Sequence, residues 1–98
     1  MSIARTEEMD RLFDTVLGLQ SPEECYAFFE DLLTVKELTD AALRLRVAFL
    51  LDEGLSYQQV ALRAGVSPAT ICRVKKCLEN GSGGYRTVIA RAKEARDA

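Results

Sequence analysis

One stretch, from Thr34 to about Asp52, constrains the fold more than any other part of the sequence. Glu37 follows Thr34 by three residues, the spacing at which a capping threonine and a glutamate satisfy each other's free backbone donors at a helix start. Apolar side chains then cover most of the helix circumference: Leu38, Ala41, Ala42, Leu43, Leu45, Val47, Ala48, Phe49, Leu50 and Leu51. A helix that is apolar nearly all round must be buried nearly all round, which a chain of 98 residues can hardly achieve alone. We therefore predict that a second subunit covers part of it.

Further helical patterns flank this central helix. Residues 6–18 carry apolar residues at i, i+3, i+4, i+7 and i+8, and Ser21 followed by Pro22 is typical of a capped helix start. After Gly54 the pattern predicts short helices over residues 57–64 and 68–78 and a last helix over 85–98. No strand pattern is visible. The predicted fold class is all-α, with about six helices.

The organisation that follows is a single helical domain over residues 1–98. We assign residues 1–55 to dimerisation, 56–79 to a helix-turn-helix, 80–84 to a glycine-rich hinge and 85–98 to a C-terminal helix. The hinge contains Gly81, Ser82, Gly83 and Gly84, a composition typical of a flexible linker. The last helix can therefore pack on its own chain or reach a partner, and the sequence leaves both arrangements open.

Composition argues against catalysis. The chain has no histidine, which removes histidine-based acid–base chemistry and most catalytic zinc sites, and three cysteines are too few ligands for a four-coordinate zinc. We predict no enzyme activity, no metal and no cofactor. The longest uncharged apolar run, Val47 to Leu51, is far shorter than the roughly 20 residues that cross a bilayer, and the N-terminus carries charge where a signal peptide is apolar. We predict a cytoplasmic protein without membrane association.

The stretch from Tyr57 to Leu78, YQQVALRAGVSPATICRVKKCL, meets the requirements of a helix-turn-helix. Such a motif needs a small residue where its two helices touch and a residue tolerant of positive φ in the turn, and Ala61 and Gly65 fill these positions. Apolar residues must line the inner face of both helices, as Val60, Ala64, Val66, Ile71 and Val74 do. The alternative is a helical hairpin that serves packing alone.

Charge along the chain favours a DNA partner for this motif. Residues 1–55 hold five basic and twelve acidic residues, a net charge of −7, whereas residues 56–98 hold eight and three, a net charge of +5. No acid occurs from Ser56 to Leu78, so the motif can present a positive face to a polyanion. The predicted DNA contacts are Gln58, Gln59, Ser67, Pro68, Ala69, Thr70, Arg73, Lys75 and Lys76.

Each of these contacts has an expected role on double-stranded DNA. Ala69 or the methyl group of Thr70 can meet a thymine methyl, and Arg73 can take a guanine edge or a phosphate. The glutamines and lysines supply contacts to the backbone. A dimer would place two such helices about 34–36 Å apart and read a palindromic operator. Two other functions stay open: an interaction module that binds another protein through the face around Tyr85, Val88 and Ile89, and, much less favoured, a small enzyme using Asp, Glu and Cys.

Four stretches of the sequence resemble the Trp repressor superfamily, and within it the YerC/YecD type. They are LFDTVLGL (12–19), ECYAFFEDLLT (24–34), the region around Arg44, and ATICRVKKCLENGSGGY (69–85), of which the last is the most specific. The resemblance covers nearly the whole chain. It implies an intertwined all-helical homodimer whose helix-turn-helix binds operator DNA as a transcriptional regulator, a repressor.

The same resemblance bears on a small-molecule effector. Thr34, Arg44 and Arg73 match the threonine and the two arginines that hold tryptophan in that family, but Val74 and Cys77 stand in place of its glycine and serine. A valine side chain would fill space that the indole ring needs, so we predict that tryptophan does not bind. A different effector at these five residues stays open. Their alternative roles are structural: Thr34 as a helix cap and Arg44 as a partner of Asp40.

Overall fold

A computed structural model describes residues 3–97 of the chain, and within them the protein is built from six helices and no strand. The helices are α1 (Glu7–Leu17), α2 (Pro22–Leu32), α3 (Val35–Asp52), α4 (Tyr57–Ala64), α5 (Pro68–Asn80) and α6 (Gly84–Asp97). This confirms the all-α prediction. The described residues form two compact units, one up to Leu38 and one from Thr39 onward, so that α3 begins in the first and continues in the second.

The first unit contains the predicted cap at Ser21 and a second cap, at Thr6, that was not predicted. Thr6 Oγ1 accepts the Met9 N–H at 3.1 Å, and Ser21 Oγ accepts the Glu24 N–H at 3.1 Å. Each serine or threonine thus satisfies a backbone donor that the first turn of a helix leaves unpaired. Local sequence alone therefore fixes where these helices begin.

The first unit leaves its apolar side chains open to solvent. Neither α1 nor α2 contains a buried residue. Leu17 is 82% exposed and Tyr26 is 70% exposed, and Phe13 and Leu32 are also exposed. Apolar stripes at helical spacing ordinarily face a core, so these exposed members are apolar surface that the described residues leave uncovered.

The second unit has a well-defined hydrophobic core. Its buried residues come from four helices: Val47, Ala48 and Leu50 of α3, Val60 of α4, Ile71 and Val74 of α5, and Ile89 of α6. Half-buried apolar residues surround them, among them Leu55, Ala64, Val66, Leu78 and Tyr85. The C-terminal part of α3 therefore shares its core with the helix-turn-helix, and it supports α4 and α5 directly.

Helix α6 packs on its own chain, which is one of the two arrangements left open by the sequence. Ile89 is buried, Tyr85 packs against the core, and Lys93 Nζ lies 2.6 Å from Asp52 Oδ2 at the end of α3. Because Ile89 is buried, the face around Tyr85, Val88 and Ile89 is only partly available to a protein partner. Val88, 46% exposed, is its most accessible member.

The connection between α5 and α6 is shorter than predicted. Helix α5 continues through Asn80 and α6 begins at Gly84, which leaves residues 81–83 between them. A Cβ atom at Gly81 would overlap the carbonyl oxygen of Cys77, so this glycine is required by the close approach of the backbone to the last turn of α5. Asn80, which was predicted to lie in the hinge, is instead the last residue of α5.

Candidate nucleic-acid interface

The turn between α4 and α5 has the geometry that a helix-turn-helix requires. Gly65 adopts φ +66° and ψ 35°, the left-handed conformation, and its N–H donates to the carbonyl oxygen of Ala61 at 2.9 Å. The predicted inner-face residues lie inward: Val60, Ile71 and Val74 are buried, while Ala64 and Val66 are half-buried against them. The predicted helix-turn-helix is therefore formed, with the glycine at the predicted turn.

The start of α4 is held by a reciprocal pair that sequence reasoning missed. The Ser56 N–H donates to Gln59 Oε1 at 2.8 Å, and the Gln59 N–H donates to Ser56 Oγ at 3.2 Å. The signal was present as serine and glutamine three residues apart. Gln58 and Gln59 are both exposed. Gln59 uses its Oε1 atom in this pair and keeps its NH₂ group outside it, whereas the whole side-chain amide of Gln58 lies outside the pair.

The start of α5 is capped as predicted. Ser67 Oγ accepts the Thr70 N–H at 3.3 Å and lies 3.2 Å from Thr70 Oγ1, and Pro68 occupies the first helical position. Thr70 is half-buried, and its hydroxyl is engaged with Ser67. The structure therefore gives Thr70 a capping contact and less exposure than the sequence pattern predicted.

The outward row of α5 consists of exposed side chains at helical spacing. Ala69, Cys72, Arg73 and Lys76 are all exposed, at positions i, i+3, i+4 and i+7, and Pro68 is exposed at the helix tip. We call Ala69, Cys72, Arg73 and Lys76 the outward row. Cys72 was not among the predicted contacts, although its spacing of three from Ala69 places it in the same exposed row.

The two predicted backbone lysines differ in their surroundings. Lys75 Nζ lies 3.4 Å from Glu79 Oε1, and its side chain borders a groove against α6 that also contains Arg86 and Lys93. Lys76, like Arg73, has no ion pair within residues 3–97. Lys76 therefore presents a full positive charge on the outward row, whereas Lys75 lies beside it and is partly neutralised.

The five residues expected to hold an effector are distributed as follows. Thr34 caps α3: its N–H donates to Glu37 Oε1 at 2.8 Å, and its Oγ1 accepts the Glu37 N–H at 3.1 Å. Arg44 is half-buried on α3, Arg73 and Cys77 are exposed on α5, and Val74 is 1% exposed in the core. The position matched to the family's glycine is thus filled by a packed side chain.

The cap formed by Thr34 and Glu37 also affects the ionisation of the Glu37 carboxyl group. The hydrogen bond from the Thr34 backbone N–H, together with one involving the Thr34 side chain, lowers the pKa of Glu37 below its ordinary value of 4.5, because both bonds favour the ionised form. The backbone N–H and the hydroxyl group of Thr34 are thus both hydrogen-bonded to Glu37, with no ligand involved.

Two further properties bear on what the site can bind. Within residues 3–97, no three His, Cys, Asp or Glu side chains are grouped so that they could hold a metal ion. Across the same residues, no helix combines the length and apolar character needed to span a bilayer. The outward row itself offers a ligand a guanidinium group, an ammonium group, a thiol and a methyl group.

The fold and this site define a helix-turn-helix protein whose motif is carried on a helical core. The sequence model of the Trp repressor protein family matches residues 7–93, and the chain belongs to that family. The family is one of repressors and not of enzymes.

Several relatives extend this finding. The chain is 46% identical over 90 residues to YerC of Bacillus subtilis (strain 168), a protein of uncharacterised function, covering 92% of this chain and 86% of YerC. It is similar to the crystal structure of a candidate Trp repressor from Staphylococcus aureus, with a TM-score of 0.88, 40% identity, and coverage of 91% and 89% of the two chains. A TrpR-like protein from Eubacterium eligens ATCC 27750 matches with a TM-score of 0.88 and 37% identity, over 91% and 92% of the chains.

Proposed function

We propose that this protein is a sequence-specific DNA-binding transcriptional regulator, a repressor, that acts as a homodimer and does not require tryptophan. One observation carries the proposal. The outward row of α5 stands on a helix-turn-helix with its turn at Gly65, and its Arg73 and Lys76 form no ion pair with a carboxylate of the described residues. A positive, acid-free row of side chains of this kind fits the major groove and the phosphates beside it.

The dimer is supported by apolar surface that the single chain leaves uncovered. Besides the stripes of α1 and α2, Leu45 on α3 is 40% exposed and Val88 on α6 is 46% exposed. Leu45 belongs to the central helix, whose sequence is apolar nearly all round. A second copy would cover such surfaces, and it would supply the second recognition helix that a palindromic operator needs.

Independence from tryptophan is supported by Val74. Its side chain packs in the core with Val47, Val60 and Ile71, so α5 is held against its support by protein contacts. We expect no saturable tryptophan binding at sub-millimolar concentration in calorimetry. Saturable binding in that range would contradict this part of the proposal and leave DNA binding itself untouched. A different effector, at Thr34, Arg44, Arg73, Val74 and Cys77, belongs to the proposal only as an open alternative.

The experiment that tests the proposed function is selection of bound duplexes from a random DNA pool, with the purified full-length protein, at two salt concentrations. We expect enrichment of a palindrome whose half-sites lie about one helical turn apart, with affinity that falls as salt rises. A scrambled duplex of equal length is the control for nonspecific binding. Failure to enrich any sequence at either salt concentration would contradict the proposal.

A helical interaction module is the second candidate. It is favoured by the exposed apolar residues of α1 and α2, among them Leu17 and Tyr26. Sedimentation analysis separates the two functions. A homodimer that binds DNA supports the regulator, whereas a stable monomer that keeps its apolar surface free and binds no DNA supports the module.

A further inference from the structure

We propose that Cys72 determines base specificity in the DNA interface, where its side chain contacts the methyl group of a thymine. This inference rests on the proposed function, since it assigns a role within the same recognition helix. It adds a residue that neither the sequence pattern nor the charge distribution had placed among the contacts.

The direction in which Cys72 points follows from what α5 buries. Ile71 and Val74, each 1% exposed, define the inward side of the helix. With about 100° between successive residues, Ala69 and Lys76 lie opposite this side, and Cys72 and Arg73 flank them. Cys72 is exposed and unbridged, and it lies in the second turn of the helix. The N-terminal part of a recognition helix is the part that reaches base edges.

Neighbouring side chains leave this part of the surface to Cys72. Thr70 is half-buried, and its hydroxyl lies 3.2 Å from the Ser67 hydroxyl that caps the helix. Lys75 is paired with Glu79 and borders the groove against α6. In the first two turns, the exposed side chains that can approach a base are therefore those of Pro68, Ala69, Cys72 and Arg73.

The chemistry of the thiol indicates which base group it meets. A cysteine side chain is small, largely apolar and only a weak hydrogen-bond donor. In the major groove the apolar group is the C5 methyl of thymine, which cytosine lacks. Cys72 should therefore favour thymine at one position of each half-site, while Arg73 reads or anchors an adjacent position.

A deoxyuridine scan tests this assignment, because replacing thymine by deoxyuridine removes only the methyl group. Each thymine of the selected operator is replaced in turn, symmetrically in both half-sites, and the affinity of the full-length protein is measured. We expect one position at which the wild type loses about fivefold or somewhat more, the lower end of what a changed base pair costs. In Cys72→Ala, which keeps Cβ but lacks the sulfur that reaches the methyl group, the same replacement should have a much smaller effect.

Cys77→Ala is the matched control, because Cys77 is also an exposed thiol of α5 but lies about 140° around the helix from Cys72. This variant should keep the wild-type response to deoxyuridine. Equal deoxyuridine losses in Cys72→Ala and the wild type at every position would overturn the inference while leaving the proposed function intact. Failure of the wild type to select any operator would overturn both.

A second measurement does not depend on a variant. Alkylation of Cys72 by iodoacetamide, followed by mass spectrometry of the digested protein, should slow at least fivefold when saturating operator is present. A scrambled duplex at the same concentration should give much less protection. Alkylation of Cys72 at the same rate with and without bound operator would overturn the inference.

Discussion

Truncation of Val74 to alanine tests whether the core holds the recognition helix in place. Val74 is 1% exposed and lies among Val47, Val60 and Ile71. The change removes two methyl groups, worth about 0.8 kcal/mol each when buried, or about 1.6 kcal/mol together. The remaining cavity adds to this loss, so we expect Val74→Ala to lower the free energy of unfolding by about 2–2.5 kcal/mol.

The assay is urea unfolding followed by helical circular dichroism, at one fixed protein concentration because dimer formation would make stability depend on concentration. With a slope of about 2 kcal/mol per molar urea, the midpoint should fall by about 1 M. The matched control is Leu62→Ala in α4, which removes more carbon atoms from a side chain that is 85% exposed. We expect that control to change stability by less than about 0.5 kcal/mol.

Two results would refute the reasoning about Val74. A loss below about 0.5 kcal/mol in Val74→Ala would mean that the side chain is not tightly packed, and the argument against a tryptophan site would lose its basis. If Leu62→Ala lowered the free energy of unfolding as much as Val74→Ala, burial of the side chain would not be what determines its contribution to stability. Retention of the wild-type slope with urea should accompany the shifted midpoint, because the surface exposed on unfolding hardly changes.

Three further predictions concern the DNA contacts, the turn and one titratable group. Arg73→Ala should weaken binding to the selected operator by about 1–3 kcal/mol if Arg73 touches a base, whereas Lys76→Ala should lower the salt slope by about one unit on every duplex; unchanged affinity and slope in both would remove these assignments. Gly65→Ala should lower the free energy of unfolding, measured in urea, by about 1–2 kcal/mol, because an alanine is strained at φ +66° even though its Cβ would meet no neighbouring atom. Gly18→Ala, at negative φ, should lower it by less than about 0.5 kcal/mol. Glu37 should titrate by NMR with a midpoint below 4.5. Its hydrogen bonds with Thr34 therefore contribute stability above pH 4.5, and this stability is lost as the pH falls through the lowered pKa of the folded protein. A midpoint equal to that of the unfolded peptide would contradict the capping interaction.

The helix-turn-helix was predictable where local interactions decide its structure. Ser67 and Pro68 specify the start of α5 through contacts within one helical turn, and Gly65 specifies the turn through its own backbone freedom. Sequence alone therefore located the helix-turn-helix and the face of α5 that packs inward. The same local rule could have found the cap formed by Ser56 and Gln59, which was missed.

The direction of individual side chains was less predictable, because it depends on what surrounds the helix. Thr70 was expected to face outward, but it is half-buried beside Ser67, whereas Cys72 takes an exposed position in the outward row. The sequence pattern also did not show that Lys75, a predicted contact to the DNA backbone, lies beside Glu79 at the groove against α6. A helical pattern gives the direction of each side chain around the helix axis, and only the neighbouring helices determine which of these side chains face solvent.

What the sequence by itself determined is the set of helices, their caps and the turn at Gly65, since each depends on residues a few positions apart. Only the tertiary structure decided that α6 packs on its own chain through Ile89 and Lys93, and that Val74 lies in the same core as Val47. These contacts join residues far apart in sequence, and their free energy comes from burying apolar area that no single helix can bury alone. The physical reason for the division is therefore the range of the interactions.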